Sequence, residues 1–415
     1  MKTKIQLFAA FLLLAVGALW LTSCSSEDAV QGSGSQADAS LTLTINTGKV
    51  GSRATAWDGT NSPTTTQENT INRLTVGIFS KDGSKVKTIV ELKEGTGPNS
   101  FTTPAANNSQ KTETKANIVT TSLEADDQVL VAVNAPEGTF AGVSKVTDFE
   151  SKTEDAKDAL LQSTITEQTK TYDEKKEINT NIPMYGKGNL SGNGNAFTAT
   201  VTVLHQLAKI TLDNLSVDFA QDGPYKSAKF TPTEFFVVNV PTSLAFSKAA
   251  IDATATHLNG FGTDYGIPAA SEWGAYKEFL ATGTLSGSAL FGIANSGTEK
   301  YGSKSFFYVT PSTDDTDNGK MKLIIAGDFD ANGSGTTEKV FYPVAINATY
   351  DPAGNATAAD GGTVFQVSPN KNYKCTVVIK TKGTTDPTKN LDPQTATVTV
   401  TVTDFVDASQ TTTFE

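Results

Sequence analysis

Two stretches of strict alternation, one near each end of the chain, set the first constraint on what it can fold into. Thr397 to Thr403 reads Thr-Val-Thr-Val-Thr-Val-Thr, and Leu41 to Ile45 reads Leu-Thr-Leu-Thr-Ile. Successive side chains of a β-strand point to opposite faces, so Val398, Val400 and Val402 share one face and the threonines the other. Leu41, Leu43 and Ile45 align in the same way. On a helix these residues would scatter around the axis, so both stretches read as strands with one dry face and one wet face. About 60 threonines in the 415 residues extend this theme, because a β-branched polar residue suits a pleated, half-buried surface.

Between the two ends, short apolar runs recur with turn residues between them, the pattern of an all-β chain. Leu74 to Phe79 and Val86 to Leu92 flank Lys81-Asp82-Gly83-Ser84, a hairpin turn with Asp-Gly at its centre. Val129 to Val133 is continuously apolar and reads as a central strand buried on both faces. Thr198 to Val203 alternates and Ala208 to Leu212 follows. Phe235 to Val240, Ser305 to Val309, Met321 to Ile325 and Val340 to Val344 supply a second set. Two segments read as helical, Thr153 to Gln162 and Ser271 to Leu280. Asn99 to Thr112 and Thr349 to Gly362 read as loops, and Gly383 to Asn390 as a Pro-containing linker.

The composition excludes several functions. With 33 basic and 44 acidic side chains the net charge is −11, which gives no cationic surface to replace the counterions of nucleic acid. Two His and two Cys offer little to a metal or nucleophilic centre. Cys375 lies in an apolar strand pattern with neither His205 nor His257 near in sequence, and reads as a buried structural thiol. Asp328-Phe329-Asp330-Ala331-Asn332-Gly333 copies the start of an EF-hand loop, but position twelve is Lys339 and strands flank it, so a β-turn is expected. No Gly-rich phosphate loop or Gly-x-Ser-x-Gly motif is present. The chain reads as a non-enzyme without a metal or other cofactor.

Residues 1–23 have the form of an export signal, with Lys2 and Lys4 before an apolar run from Ile5 to Leu19 that is short for a spanning helix. The run ends at Leu21-Thr22-Ser23-Cys24, which matches the lipobox of bacterial lipoproteins and makes Cys24 the expected lipidation site. A Gly/Ser/Gln-rich tether follows from Gln31 to Ala37. Beyond the first strand lies Gly48-Lys49-Val50-Gly51-Ser52-Arg53-Ala54, rich in small residues. The basic residues include only two Arg, Arg53 and Arg73. Arg73 directly precedes the strand at Leu74 and is expected to be protected, which leaves Arg53 as the exposed one.

In this order the parts resemble the fimbrillin family, the type V pilus subunits of Bacteroidales. The lipobox, Leu41 to Ile45 ahead of Arg53-Ala54, Leu130 to Pro136 and Ile182 to Gly186 carry the resemblance. So do Gln206 to Ile210, Val238 to Pro241, Asn370 to Ile379 and the terminal Val398 to Phe405. The resemblance implies two transthyretin-like β-sandwich domains, exported as a lipoprotein precursor held in the outer membrane. An Arg-specific surface protease would cut between Arg53 and Ala54. The strand carrying Leu41, Leu43 and Ile45 would then leave, and the C-terminal strand of another pilin subunit, with Val398, Val400, Val402 and Phe405, would take its place. Tip and anchor pilins would be further partners, and the location a cell-surface pilus. This chain departs from the family pattern at Phe405, where Trp is common, and at His205-Gln206, where Arg is common.

The expected division is a signal peptide over 1–23, a propeptide over 24–53, domains over 54–204 and 205–382, and a linker with donor strand over 383–415. A lipid-anchored glycan-binding protein is the alternative, with Trp273 and Tyr276 as its aromatic candidates. A tip or anchor pilin is a further one, and a secreted hydrolase a weaker third.

Overall fold

The computed structural model describes residues 39–47, 68–103, 113–156, 181–248, 251, 256–259, 280–282, 293–294, 298–299, 305–390 and 396–404. All lie in one compact unit, Asp38–Glu415. The architecture is all-β. In the first half the strands are β1 (Ala39–Thr47), β2 (Leu74–Phe79), β3 (Val86–Glu94), β4 (Ser100–Thr102), β5 (Glu113–Thr120), β6 (Gln128–Val133), β7 (Thr153–Asp155), β8 (Met184–Asn189), β9 (Ser191–Asn193) and β10 (Ala196–His205), with one short helix, α1 (Val146–Glu150). The second half contributes β11 (Ala208–Val217), β12 (Lys229–Val238), β13 (Val240–Pro241), β14 (Ser243–Ala245), β15 (His257–Leu258), β16 (Leu280–Thr282), β17 (Ile293–Ala294), β18 (Thr298–Glu299), β19 (Ser305–Val309), β20 (Lys322–Asp330), β21 (Thr337–Ala345), β22 (Thr349–Tyr350), β23 (Ala356–Thr357), β24 (Lys371–Ile379) and β25 (Ala396–Asp404).

The first half forms a nine-stranded sheet in the order β1-β5-β4-β3-β2-β6-β8-β10-β9, and β1 pairs again with β10. Its hydrogen bonding therefore closes on itself, with β1 as the closing strand. Alternation decides what each face does. Phe197, Ala199, Val201 and Val203 of β10 turn inward, while Thr198, Thr200 and Thr202 face water. β6 has no wet face: Val129, Val131 and Val133 join one core, and Leu130 and Ala132 join a second core with Phe79, Phe140, Val146 and Phe149. This second core lies under α1, where Phe140 and Phe149 stack with centroids 3.9 Å apart. The continuous apolar run Val129 to Val133 is explained by burial on both sides.

In the second half one sheet runs β18-β11-β24-β25 with β19 also on β11, and another runs β16-β12-β20-β21 with β17 on β12. Their inner faces enclose the largest core, which includes Phe230, Phe329, Tyr342, Tyr373, Cys375, Val398 and Val400. The halves repeat one arrangement. β1 runs parallel to β10 and antiparallel to β5, and β11 runs parallel to β24 and antiparallel to β19.

Two asparagines mark the same repeat. Asn134 follows β6 and Asn239 follows β12, with φ of 59° and 62°, the left-handed region that Asn tolerates best after Gly. Asn134 Oδ1 accepts from the backbone N–H of Asn72 (2.9 Å) and Arg73 (3.3 Å), and its Nδ2 donates to the carbonyls of Thr70 (2.9 Å) and Ile182 (3.0 Å). Asn239 Nδ2 donates to the carbonyls of Asn318 (2.7 Å) and Lys320 (2.9 Å). Replacing Asn134 with Ala removes all four of these hydrogen bonds, one of them to the buried Ile182 carbonyl, and puts a Cβ-bearing residue without local hydrogen bonding at positive φ. A loss of about 2–4 kcal/mol is expected, read as a lower urea midpoint at unchanged slope.

The halves interlock at several points. β7 pairs with β14, and Phe246 packs edge-on against Phe140 at 5.4 Å. Glu68 is buried; its Oε1 accepts from Tyr308 Oη at 2.7 Å and lies 3.2 Å from Lys209 Nζ. His205 holds the Glu68 carbonyl through Nε2 (2.9 Å) and reaches Asn370 Oδ1 through Nδ1 (3.2 Å). Burial keeps the His205 imidazole below its ordinary pKa, outweighing the attraction of Glu68.

Several expectations change. Thr153–Asp155 is strand β7, because β14 offers its edge to this β-branched, polar segment; Ala156 is helical, and residues 157–162 of that expected helix lie outside the described residues. Of the second expected helix, residues 271–279 lie outside the described residues, and Leu280 opens strand β16. The loop after Asn99 contains β4, which bridges β3 and β5. The first strand has a partner on each side. Asp330 forms the expected turn: its Oδ1 accepts from the backbone N–H of Asn332, Gly333 and Ser334 and its Oδ2 from Gly335 at 2.7 Å. These bonds hold its carboxyl below the usual range, led by that from Gly335.

Candidate functional site

β1 carries no charged residue, and its nine positions alternate between a dry face and a wet one. Leu41, Leu43 and Ile45 are 0% exposed, and Ala39 and Thr47 are buried at either end of the same face. Ser40 and Thr42 are exposed and Thr44 and Asn46 half-buried on the other. On one side Ser40 to Thr47 pair in parallel with Ala196 to Val203; on the other Ala39 to Asn46 pair antiparallel with Thr120 to Glu113. Thus β1 fills a slot whose walls are β5 and β10. Ala116, Ile118, Phe197, Val201 and Val203 belong to the same core as the β1 side chains. Thr47 Oγ1 is buried and finds no hydrogen-bond partner among the described residues.

The C-terminal strand β25 sits differently. It pairs antiparallel with β24 from Ala396↔Ile379 to Asp404↔Lys371, and it is the last strand of its sheet. Ala396, Val398 and Val400 are buried against the core, Val402 is half-buried, and Thr397, Thr399 and Thr401 face water. Val400 lies opposite Cys375, which is fully buried. Burial pushes the Cys375 thiol up to about 12, so it is an inert core residue at neutral pH.

The stretch that leads to β25 is docked rather than loose. Phe341 and Thr384 exchange backbone hydrogen bonds of 2.7 and 3.0 Å. Tyr342 Oη donates to the Thr381 carbonyl at 3.0 Å and accepts from the Gly383 N–H at 3.1 Å. Lys322 Nζ donates to the Thr388 carbonyl at 3.1 Å. Burial lowers this ammonium to about 8. Residues 381–390 are therefore a fixed platform, which corrects the reading of 383–390 as a linker. Turn residues and Pro suggested freedom, but the main chain at Thr381, Gly383 and Thr384 is bonded to β21 and that at Thr388 to Lys322 of β20.

Of the remaining sequence-selected residues, Cys24, Arg53, Ala54, Phe405, Trp273 and Tyr276 lie outside the described residues. Arg73 is exposed, contrary to expectation. Its main chain is nevertheless held, because its N–H reaches Asn134 Oδ1 and its carbonyl accepts from the Asn134 N–H at 2.9 Å. His257 is half-buried, 3.9 Å from Asp314. Among the described residues no group of three or more His, Cys, Asp or Glu is placed to hold a metal. Sequence reasoning did not single out β5 and β10 as the walls of the slot, or Asn134 as the clamp on Arg73. Only pairing partners identify the first, and Val133-Asn134-Ala135-Pro136, echoed at Val238-Asn239-Val240-Pro241, was the available signal for the second.

The sequences of strands β1 and β25 align position by position. Both have nine residues: Ala-Ser-Leu-Thr-Leu-Thr-Ile-Asn-Thr and Ala-Thr-Val-Thr-Val-Thr-Val-Thr-Asp. Ala39 corresponds to Ala396, Leu41 to Val398, Leu43 to Val400 and Ile45 to Val402, each on the dry face of its strand.

Comparison with known proteins gives a consistent picture. The family model described as "Major fimbrial subunit protein (FimA)" matches residues 39–204, the stretch that runs from β1 to β10. Among solved structures, a putative cell adhesion protein from Parabacteroides distasonis ATCC 8503 is similar at 14% identity and TM-score 0.56, covering 89% of this chain and 99% of that one. A fimbrilin (fimA) from Porphyromonas gingivalis W83 is similar at 18% identity and TM-score 0.52, over 90% and 99%. A putative cell adhesion protein from Bacteroides eggerthii DSM 20697 is similar at 20% identity and TM-score 0.52, over 88% and 96%. At these identities the likeness is one of fold. No curated protein matches the chain.

Proposed function

We propose that the chain is a fimbrillin-type pilus subunit built by strand replacement, a reading supported by the family model that matches residues 39–204. In this reading Cys24 is lipidated on export, the precursor is held at the outer membrane, and an Arg-specific protease cuts between Arg53 and Ala54. Residues 54–204 and 205–382 act as the two domains. β1 then leaves its slot, and β25 of another subunit enters between β5 and β10.

The correspondence between β1 and β25 carries this reading. A strand that is to occupy the slot has to place small, apolar, apolar and apolar residues at alternate positions and polar ones between them. β25 does so over the same nine residues. The energetics favour transfer. At home β25 pairs with β24 alone, whereas the slot offers eight backbone positions on each side. Main-chain pairing on two edges is the source of affinity in strand-addition complexes. Apolar burial of three valines contributes about 5–9 kcal/mol relative to a free chain. Ordering a tail offsets ~1–2 kcal/mol per residue, so the second paired edge decides the balance. The contact joins two different surfaces and does not close, which produces a filament.

The N-terminal residue of protein taken from the cell surface tests the reading. Ala54 is expected in filament material, whereas acylated Cys24 in assembled filaments overturns the processing step.

A further inference from the structure

We infer that the donor strand is undersized for the slot, so that the resident β1 outcompetes it until β1 is both cut and diluted away. The inference rests on the strand-replacement reading and adds to it a regulatory property of the same site. Its basis is the pairing of side chains at the three central positions. Leu41, Leu43 and Ile45 are 0% exposed, so each is wholly buried in its part of the slot. The corresponding donor residues Val398, Val400 and Val402 are each one methylene smaller. A missing buried methylene forfeits both its transfer free energy and the contacts of the atoms it left behind. That is worth about fourfold in affinity per position, or about 60-fold over three.

The ninth position adds to the difference in the same direction. The slot buries Thr47 there, 1% exposed, and the donor brings the carboxylate of Asp404. A charge at this place has to remain at the mouth of the slot, since burying it unpaired is costly. Neither face of β25 otherwise conflicts with the walls, because Thr397, Thr399, Thr401 and Thr403 stand where Ser40, Thr42, Thr44 and Asn46 stand.

The consequence is control of when growth begins. While residues 48–73 still join β1 to β2, the resident strand acts at roughly millimolar effective concentration as well as with the larger side chains. A donor from solution loses on both counts, and precursors do not invade one another. Cutting the connection removes the first advantage, and dispersal of the released strand removes the second. Filaments then grow on a strand that holds the slot less tightly than its first occupant did.

Synthetic nonapeptides test this on the full chain cleaved after Arg53, with filament growth as the readout. A peptide of sequence Ala39–Thr47 is expected to halt growth at a concentration lower by about 60-fold or more than one of sequence Ala396–Asp404. A donor peptide carrying Val398→Leu, Val400→Leu and Val402→Ile is expected to recover about 60-fold of that difference, and Asp404→Thr whatever exceeds it. Equal potency of the two natural peptides overturns the size argument while leaving strand replacement intact. A substituted donor no better than the natural one also overturns it. Failure of every peptide to halt growth overturns strand replacement itself.

Discussion

Replacing Arg53 with Ala is expected to leave the protein as lipidated monomers with β1 in place, and to reduce filament yield by about three orders of magnitude or more. The magnitude follows from competition for one slot. A tethered occupant acts at roughly millimolar effective concentration, while subunits of a surface protein present donor strands at about micromolar levels, a ratio of ~10³ before side-chain size is counted. Arg73 does not rescue cleavage, although it is exposed, because its main chain is fastened on both sides by Asn134. A protease needs that segment in extended form, free of its neighbours. Even if it were cut there, Glu68 and its bonds to Lys209, Tyr308 and His205 would stay with the released piece, disrupting the junction between the halves. Electron microscopy of the cell surface, with an immunoblot for precursor size, reads the result directly.

Replacing Val400 with Asp is expected to abolish donation while sparing the fold. In the slot this side chain takes the position of Leu43, which is 0% exposed between two paired strands. An unpaired carboxylate there costs several kcal/mol, equivalent to a loss of at least 10³-fold in subunit affinity. In its own subunit Val400 lies on the last strand of a sheet, with β24 as the only partner strand among the described residues, so β25 can detach without breaking another pairing among them. The monomer is thus expected to be soluble and cleaved normally, although Cys375 opposite Val400 becomes open to thiol reagents. The variant keeps a working slot. Mixed with the natural protein it accepts a donor but offers none, so filaments become shorter as its share rises. Length distributions by microscopy and monomer content by size exclusion check both halves of the expectation.

The alternation at Leu41 to Ile45 and Thr397 to Thr403 gave the side-chain facing of both strands correctly, because a period of two leaves one choice once a core is present. The continuous run Val129 to Val133 likewise revealed a strand buried on both faces. What sequence could not give was the neighbours. β1 closes a circuit between β5 and β10, partners separated from it by some 70 and some 150 residues respectively, and no local pattern encodes such a pairing. The same limit explains β7, whose polar residues were compatible with a helix until β14 supplied an edge. It also explains the platform at 381–390, where Pro and Gly indicate turns but not that Thr384 would be bonded to Phe341. Arg73 is a different lesson, since its protection comes from main-chain hydrogen bonds rather than from burial of its side chain.

Which strand occupies the slot in an assembled filament is the central question, and a cysteine pair answers it. If Ala396 takes the place of Ala39, then Thr399 takes that of Thr42, whose antiparallel neighbour on β5 is Asn117. Within one subunit Thr399 pairs with Thr376 on β24 instead. In filaments of the double variant Thr399→Cys, Asn117→Cys, mild oxidation is expected to give a covalent ladder spaced by whole subunits on a denaturing gel. Filaments that form normally yet run as monomers after oxidation would contradict occupation of the β1 slot by β25 in this register.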